Sequence, residues 1–155
     1  MSAEVTTTAA VTPSTNTTTN NAAWALTQPT PGSLPATYVE TDAAQCGDAK
    51  IGHLLGIFGI LGTGIWYVIK KNDNKPFVMD QAKEAFNFQL LVFCAAIALM
   101  ILGIVVTMVV GVLGMVFSLA NMALLVGAIV LSIQNALKAG KGQVARYPAR
   151  LSVLK

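Results

Sequence analysis

The sequence predicts an all-α integral membrane protein. It should have three transmembrane helices, an interfacial helix leading into the second, and a disordered N-terminal tail. Three observations carry this. Only 11% of the 155 residues are charged, while 54% are hydrophobic, and mean hydropathy is +0.63. A soluble domain is about 25% charged, so this chain cannot cover a globule of its size with polar side chains. The apolar residues also lie in uncharged blocks, 51–69 and 85–137. Finally, the first 49 residues are polar, rich in Thr, Asn, Ala and Pro, and free of Lys and Arg.

The tail, residues 1–49, includes Thr6-Thr7-Thr8 and Asn16-Thr17-Thr18-Thr19-Asn20-Asn21. Its apolar residues are sparse and aperiodic, so burial does not offset the entropy of ordering it. It has neither the basic start nor the apolar core of a signal peptide. Asn16-Thr17-Thr18 fits a glycosylation pattern that a Thr-rich tract produces by chance. Trp24 and Tyr38 are lone aromatics with no assigned role. Cys46 follows Ala43-Ala44-Gln45, but no apolar signal core precedes it, so lipidation is not expected. Cys94 sits in an apolar run, and no disulfide with Cys46 is expected.

The first span is placed at 51–69. Nineteen residues at 1.5 Å each give about 28 Å, close to the hydrocarbon thickness of a bilayer. Trp66 and Tyr67 beside Lys70 and Lys71 suit a membrane interface. Gly52, Gly56, Gly59 and Thr63 follow 4-3-4 spacing. They form a smooth stripe expected to admit another helix, the alternative being simply a flexible helix.

A polar connector, Asn72–Lys75, leads to Pro76, which suits the first turn of a helix, with Asn74 as a cap. Asp80, Lys83, Glu84 and Asn87 then share one face of an interfacial helix over 77–88. The uncharged run from Ala85 to Leu137 would extend about 80 Å as one helix, so it must fold back. Gly111-Val112-Leu113-Gly114 is the turn signal near its midpoint. The second span is therefore placed near 90–110 and the third near 115–133. Folding about the turn brings Thr107 and Ser118 to similar depth, where a hydrogen bond between them is expected.

With three spans, the 70–84 connector and the C-terminal tail share one face. They carry nine of the ten Lys and Arg residues, leaving Lys50 opposite. The positive-inside rule puts the nine in the cytoplasm and the N-terminus outside. Basic residues that flank apolar stretches set topology, and no nucleic-acid partner is expected. After Gly140-Lys141-Gly142, which can end the third helix, Arg146 and Arg150 alternate with apolar residues in a segment expected on the anionic leaflet.

Candidate chemistry is sparse. His53 is the lone histidine, and the expected reading is a polar residue at the interface rather than a proton relay. Asn121 is the deepest strongly polar side chain, expected to hydrogen-bond another helix rather than to line a pore. Glu84 reads equally as a solvated carboxylate or as the partner of Lys83, Lys138 or a neighbouring subunit. No Ser/His/Asp set, phosphate-binding glycine loop or zinc motif occurs. No enzyme activity, cofactor, catalytic residue or metal site is therefore expected.

Three stretches stand together. These are His53-Leu54-Leu55-Gly56, then Pro76-Phe77-Val78-Met79-Asp80-Gln81-Ala82-Lys83-Glu84-Ala85-Phe86-Asn87-Phe88-Gln89, and Gly140-Lys141-Gly142 with Arg146-Tyr147-Pro148. Residues 50–155 thereby resemble a bacterial family of small membrane proteins, domain of unknown function 4870. That family is distantly similar to the twenty-kilodalton subunit of the chloroplast inner-envelope import translocon. The family usually has Leu in place of Phe86 and His-Gly in place of Gln81-Ala82. The resemblance marks His53, Pro76, Phe77, Lys83, Glu84, Asn87, Gln89, Arg146, Tyr147 and Pro148 as family positions. It implies three or four membrane helices and no established biochemical activity.

The expected function is that of a structural or interaction subunit in the bilayer, packing with itself or with a larger membrane complex. Gly52, Gly56, Gly59, Thr107, Ser118 and Asn121 are its helix-packing residues. The alternative is a small oligomeric transport or channel protein with Asn121, Thr107, Ser118 and Glu84 along its path.

Overall fold

A computed structural model of the chain describes residues 34–151, 153 and 154. The Asn16 pattern, Trp24 and most of the expected tail lie outside the described residues. Among the described residues four α-helices follow one another: α1 (Ala43–Leu54), α2 (Gly59–Lys70), α3 (Pro76–Val109) and α4 (Leu113–Ala139). A 3-10 turn, Leu55–Phe58, joins α1 to α2. Among the described residues there is no strand, only an isolated bridge between Val39 and Gln143. Three helical stretches, Ala43–Lys70, Pro76–Val109 and Leu113–Ala139, are long and apolar enough to cross a membrane.

Local chemistry explains the helix ends. Asp42 caps α1 by accepting a hydrogen bond from the Ala44 amide at 2.9 Å, which satisfies one of the free N–H groups of the first turn. Pro76 occupies the first turn of α3, where its missing N–H costs nothing. Asn74 does not cap this helix. It adopts a positive φ of 49° and instead turns the chain into Lys75 and Pro76. Between α3 and α4 the chain reverses at Val110–Val112, with the Leu113 amide donating to the Val110 carbonyl at 3.0 Å.

Helix α3 is 34 residues long, about 50 Å at the α-helical rise, and has two unlike halves. Phe77, Val78, Asp80, Gln81, Lys83, Glu84 and Asn87 in its first half are fully buried. Beyond Gln89 the exposed large side chains are apolar, among them Phe93, Met100, Ile101 and Met108, and α4 matches them with Met115, Leu119, Met122 and Val126. The polar base is therefore inside and the apolar tip outside. The helix expected over 77–88 is the first half of α3 and runs directly into the apolar stretch, as read from the sequence; what differs is that its polar face is buried.

The first apolar stretch is not straight. Asp48 pairs with Lys70 at 3.0 Å, although 22 residues of straight helix would separate them by about 33 Å. Gly59 has φ 68° and ψ −150°, a conformation open essentially to glycine alone. There α2 turns back past α1. A Cβ at Gly52 would lie 2.8 Å from the Trp66 indole nitrogen, and one at Gly62 would lie 2.3 Å from the Leu55 carbonyl oxygen. Gly59 is thus a hinge rather than a packing residue, since nothing lies within 4 Å of its would-be Cβ. Gly56 does permit close approach, but to Ser132 and Gln89 of the same chain.

Order also extends N-terminal to the expected boundary at residue 50. Leu34, Ala49, Phe77 and Ala139 form one apolar cluster, with Tyr38 and Val144 against it, and Tyr38 stacks on Phe77 at 6.0 Å between ring centroids. Burial and the Glu40 carboxylate raise the Tyr38 phenol to about 12. The Glu40 amide donates to the Gly142 carbonyl at 2.8 Å. Segments expected on opposite faces therefore meet at one end, because the fold-back at Gly59 returns α2 to the level at which α1 began.

Gly59→Ala should destabilise the protein by about 1–3 kcal/mol, the cost of holding a non-glycine residue in that backbone region. Gly47→Ala, in α1 with open space around it, should be neutral or slightly stabilising. Thermal unfolding of the detergent-solubilised protein, followed by helical circular dichroism, measures both.

Candidate functional site

The polar residues of α3 form one stripe. Asp80, Glu84 and Asn87 are spaced by four and three residues, so they share a face, and the C-terminal segment docks along it. Arg146 donates to the Asp80 carboxylate at 2.7 Å. Arg150 pairs with Glu84, whose other oxygen accepts from the Tyr147 amide at 3.1 Å. The Asn87 side-chain oxygen accepts from the amides of Val153 and Leu154, each at 3.1 Å. The Asp80 and Glu84 side chains are 0% exposed, while the two arginines keep 25% and 29%. Each buried carboxylate is thus compensated, as burial of charge requires, and the guanidinium edges reach solvent.

His53 crosses from α1 into the same cluster and is fully buried. Its Nε2 lies 3.0 Å from Gln81 Oε1, and its Nδ1 lies 3.0 Å from the Tyr147 hydroxyl. The Gln81 amide nitrogen already donates to Asp80 at 2.9 Å, so its oxygen can only accept. It accepts from the Ala145 amide at 3.1 Å and from His53 Nε2–H. With Nε2 donating to an uncharged amide, full burial of the ring keeps it neutral, and Nδ1 accepts from the Tyr147 hydroxyl. A directed chain of hydrogen bonds runs from Tyr147 through His53 and Gln81 to Asp80, where Arg146 donates from the other side. Burial, with a smaller contribution from Glu84, pushes the Tyr147 phenol up to about 12, so it remains a neutral donor. Its ring stacks on Phe88 at 3.8 Å and 8°.

The cluster is a closed structural clamp. The ring nitrogens of His53 are both engaged, and among the described residues no group of three His, Cys, Asp or Glu side chains could hold a metal ion. Cys46 and Cys94 are free. The base also holds an ion-pair group in which Asp48 accepts from Lys70 at 3.0 Å and from Lys75 at 3.1 Å.

Several expectations change here. His53 is a buried junction rather than an interfacial residue. Glu84 is buried and pairs with Arg150 rather than standing solvated, and so faces the C-terminal segment. The Arg146–Arg150 segment docks along α3 through Asp80 and Glu84. Pro76 and Phe77 open α3, Lys83 is buried beside the stripe, and Gln89 reaches Ser132 of α4 at 3.1 Å. Pro148 lies between Tyr147 and Arg150 on the surface of the docked segment. Asp80, Gln81, Ser132 and Arg150 join the cluster without having been singled out as site residues. The matching four-residue spacings of Asp80 and Glu84 and of Arg146 and Arg150 were the available signal.

The packing residues at the other end behave differently. Thr107 donates to the Gly103 carbonyl at 2.6 Å, so its hydroxyl is taken up on its own helix rather than by Ser118. Thr107, Gly114, Ser118 and Asn121 line a shallow groove between α3 and α4. The side-chain oxygen of Asn121 is buried there without a hydrogen-bond partner among the described residues.

Residues 46–154 match the profile of the magnetosome magnetite crystal formation protein family. The chain belongs to that family. The match begins within α1 and ends at the last docked residue of the C-terminal segment, so the fold-back, the clamp and the α3–α4 hairpin are all family territory. The expectation of a bacterial family of small membrane proteins stands. The family that matches is the magnetosome magnetite crystal formation family, not domain of unknown function 4870 or the import translocon. No match was found among curated proteins or among solved structures.

Arg146→Ala removes the guanidinium that meets the buried Asp80 carboxylate at 2.7 Å, and should cost up to about 3–5 kcal/mol of stability. In the double variant Asp80→Asn with Arg146→Ala the loss should fall well short of the sum of the single losses. Tyr147→Phe removes the donor to His53 Nδ1 and should cost about 1–3 kcal/mol. Denaturation in mild detergent reports all of these.

Proposed function

We propose that this protein is a structural, non-catalytic subunit of the magnetosome membrane. In this reading its α3–α4 hairpin packs with further copies or with a larger membrane complex, and the assembly serves magnetite crystal formation. Family membership supports the setting, a bacterial inner membrane or the magnetosome membrane. The observation that carries the assembly reading is Asn121. Its amide oxygen is buried in a groove whose flanks are exposed apolar side chains, with no partner among the described residues. Acyl chains offer such an oxygen nothing; the Asn121 side chain is part-exposed at the groove, so rotation of its amide brings the oxygen to a donor from a second polypeptide. Small residues along the groove, Gly103, Gly114 and Ser118, permit the close approach that such a bond requires.

Crosslinking in native membranes should yield a homo-oligomer or one stable heteromeric band. Asn121→Leu should weaken that band several-fold, since an interhelical hydrogen bond in lipid contributes about 0.6–2 kcal/mol, while helical content stays unchanged. Recovery of monomer alone from the natural protein would sink the reading.

A further inference from the structure

We infer that the α1–α2 stretch is a re-entrant hairpin that enters and leaves the membrane on one face. The protein then crosses the bilayer twice, through α3 and α4, and the segment before α1 shares a compartment with the segment after α4. Each arm of the hairpin is 12 residues, about 18 Å, against a hydrocarbon core of about 30 Å. Neither arm crosses alone, and they are not placed end to end. Asp48 meets Lys70 at 3.0 Å, and Gly52 faces Trp66.

The depth of the hairpin follows from its neighbours. Gly56, next to its tip, lies against Gln89 and Ser132. The exposed apolar band of α3 and α4 begins just beyond that level. From residue 90 to the end of α3 at Val109 the helix rises about 30 Å, one hydrocarbon thickness. The tip of the hairpin presents Ile57, Phe58 and Leu61 to the outside, continuous with that band. Its occupant is the acyl boundary of the near leaflet. Trp66, Tyr67, Lys70 and Lys71 lie toward the base, in the arrangement that anchors a chain at an interface.

Two independent observations agree. The segment before α1 is held to the segment after α4: Arg146 donates to the Leu34 carbonyl at 3.0 Å, and Glu40 to Gly142 at 2.8 Å. A straight, spanning first helix would carry these contacts, and His53 with its bond to Tyr147, to the far side of the bilayer. The charge count also loses its exception. Lys50, the lone basic residue stranded outside by a three-span topology, packs its side chain against Gly140 at the same end as the others. The positive-inside rule then places both segments in the cytoplasm.

The test is labelling by a membrane-impermeant maleimide in intact spheroplasts and in inverted vesicles. Single cysteines are introduced by Thr37→Cys, Gly111→Cys or Ala149→Cys in a Cys46→Ala, Cys94→Ala background. Positions 37 and 149 should react in inverted vesicles, with little reaction in spheroplasts, and position 111 should show the reverse. Reaction of 37 and 149 from opposite sides overturns the inference, and so does reaction of 111 from their side. Protease protection of N- and C-terminal epitope tags on the otherwise natural chain separates the same two topologies without the cysteine replacements. Both tags are digested in inverted vesicles if the inference holds, and only one if it fails. Either readout is independent of whether the protein oligomerises.

Discussion

Two buried carboxylates govern this fold. Asp80 and Glu84 lie in the middle of a packed helix base, fully removed from solvent, and a charge so placed is tolerated only with a cation and hydrogen bonds around it. Arg146 and Arg150 supply the cations, so the C-terminal segment must lie along α3. Once it does, Tyr147 stacks on Phe88 and reaches His53. That contact fixes the position of α1, and the position of α1 determines where the chain must turn to bring α2 back.

The energetic character of the molecule changes along α3. At the base, specificity comes from directed polar contacts, in which each partner narrows the geometry of the next. His53 shows this well, since the fixed role of the Gln81 amide decides which ring nitrogen carries the proton. Toward the tip, α3 and α4 offer apolar side chains to their surroundings and small residues to each other. Close approach at Gly103 and Gly114 replaces polar complementarity there. A Cβ at Gly114 would lie 2.0 Å from the Thr107 hydroxyl oxygen, which is why the hairpin can be narrow just after its turn.

Membership of the magnetosome magnetite crystal formation family gives this division a biological setting without assigning chemistry to any side chain. The clamp residues are engaged with one another rather than turned toward a ligand. They make the base rigid, and a rigid base orients the apolar hairpin. In the groove of that hairpin, Asn121 keeps a side-chain oxygen without a partner among the described residues.

Much of the architecture was legible because it depends on quantities that a linear sequence contains. The helical, membrane-embedded character follows from uncharged length and scarce charge. The reversal near Gly111 follows from a run too long for one bilayer. The shared face of Asp80, Glu84 and Asn87 follows from helical periodicity. What only the tertiary structure decided are the pairings across long separations and the direction of the chain at Gly59. A glycine in an apolar run reads equally as a packing surface or as a hinge, because the residue is the same and only its φ differs. Likewise Glu84 reads equally as solvated or buried until the arginine 66 residues later is seen beside it. Composition and periodicity are local or additive, whereas burial of a charge is settled by which distant segment arrives to cover it.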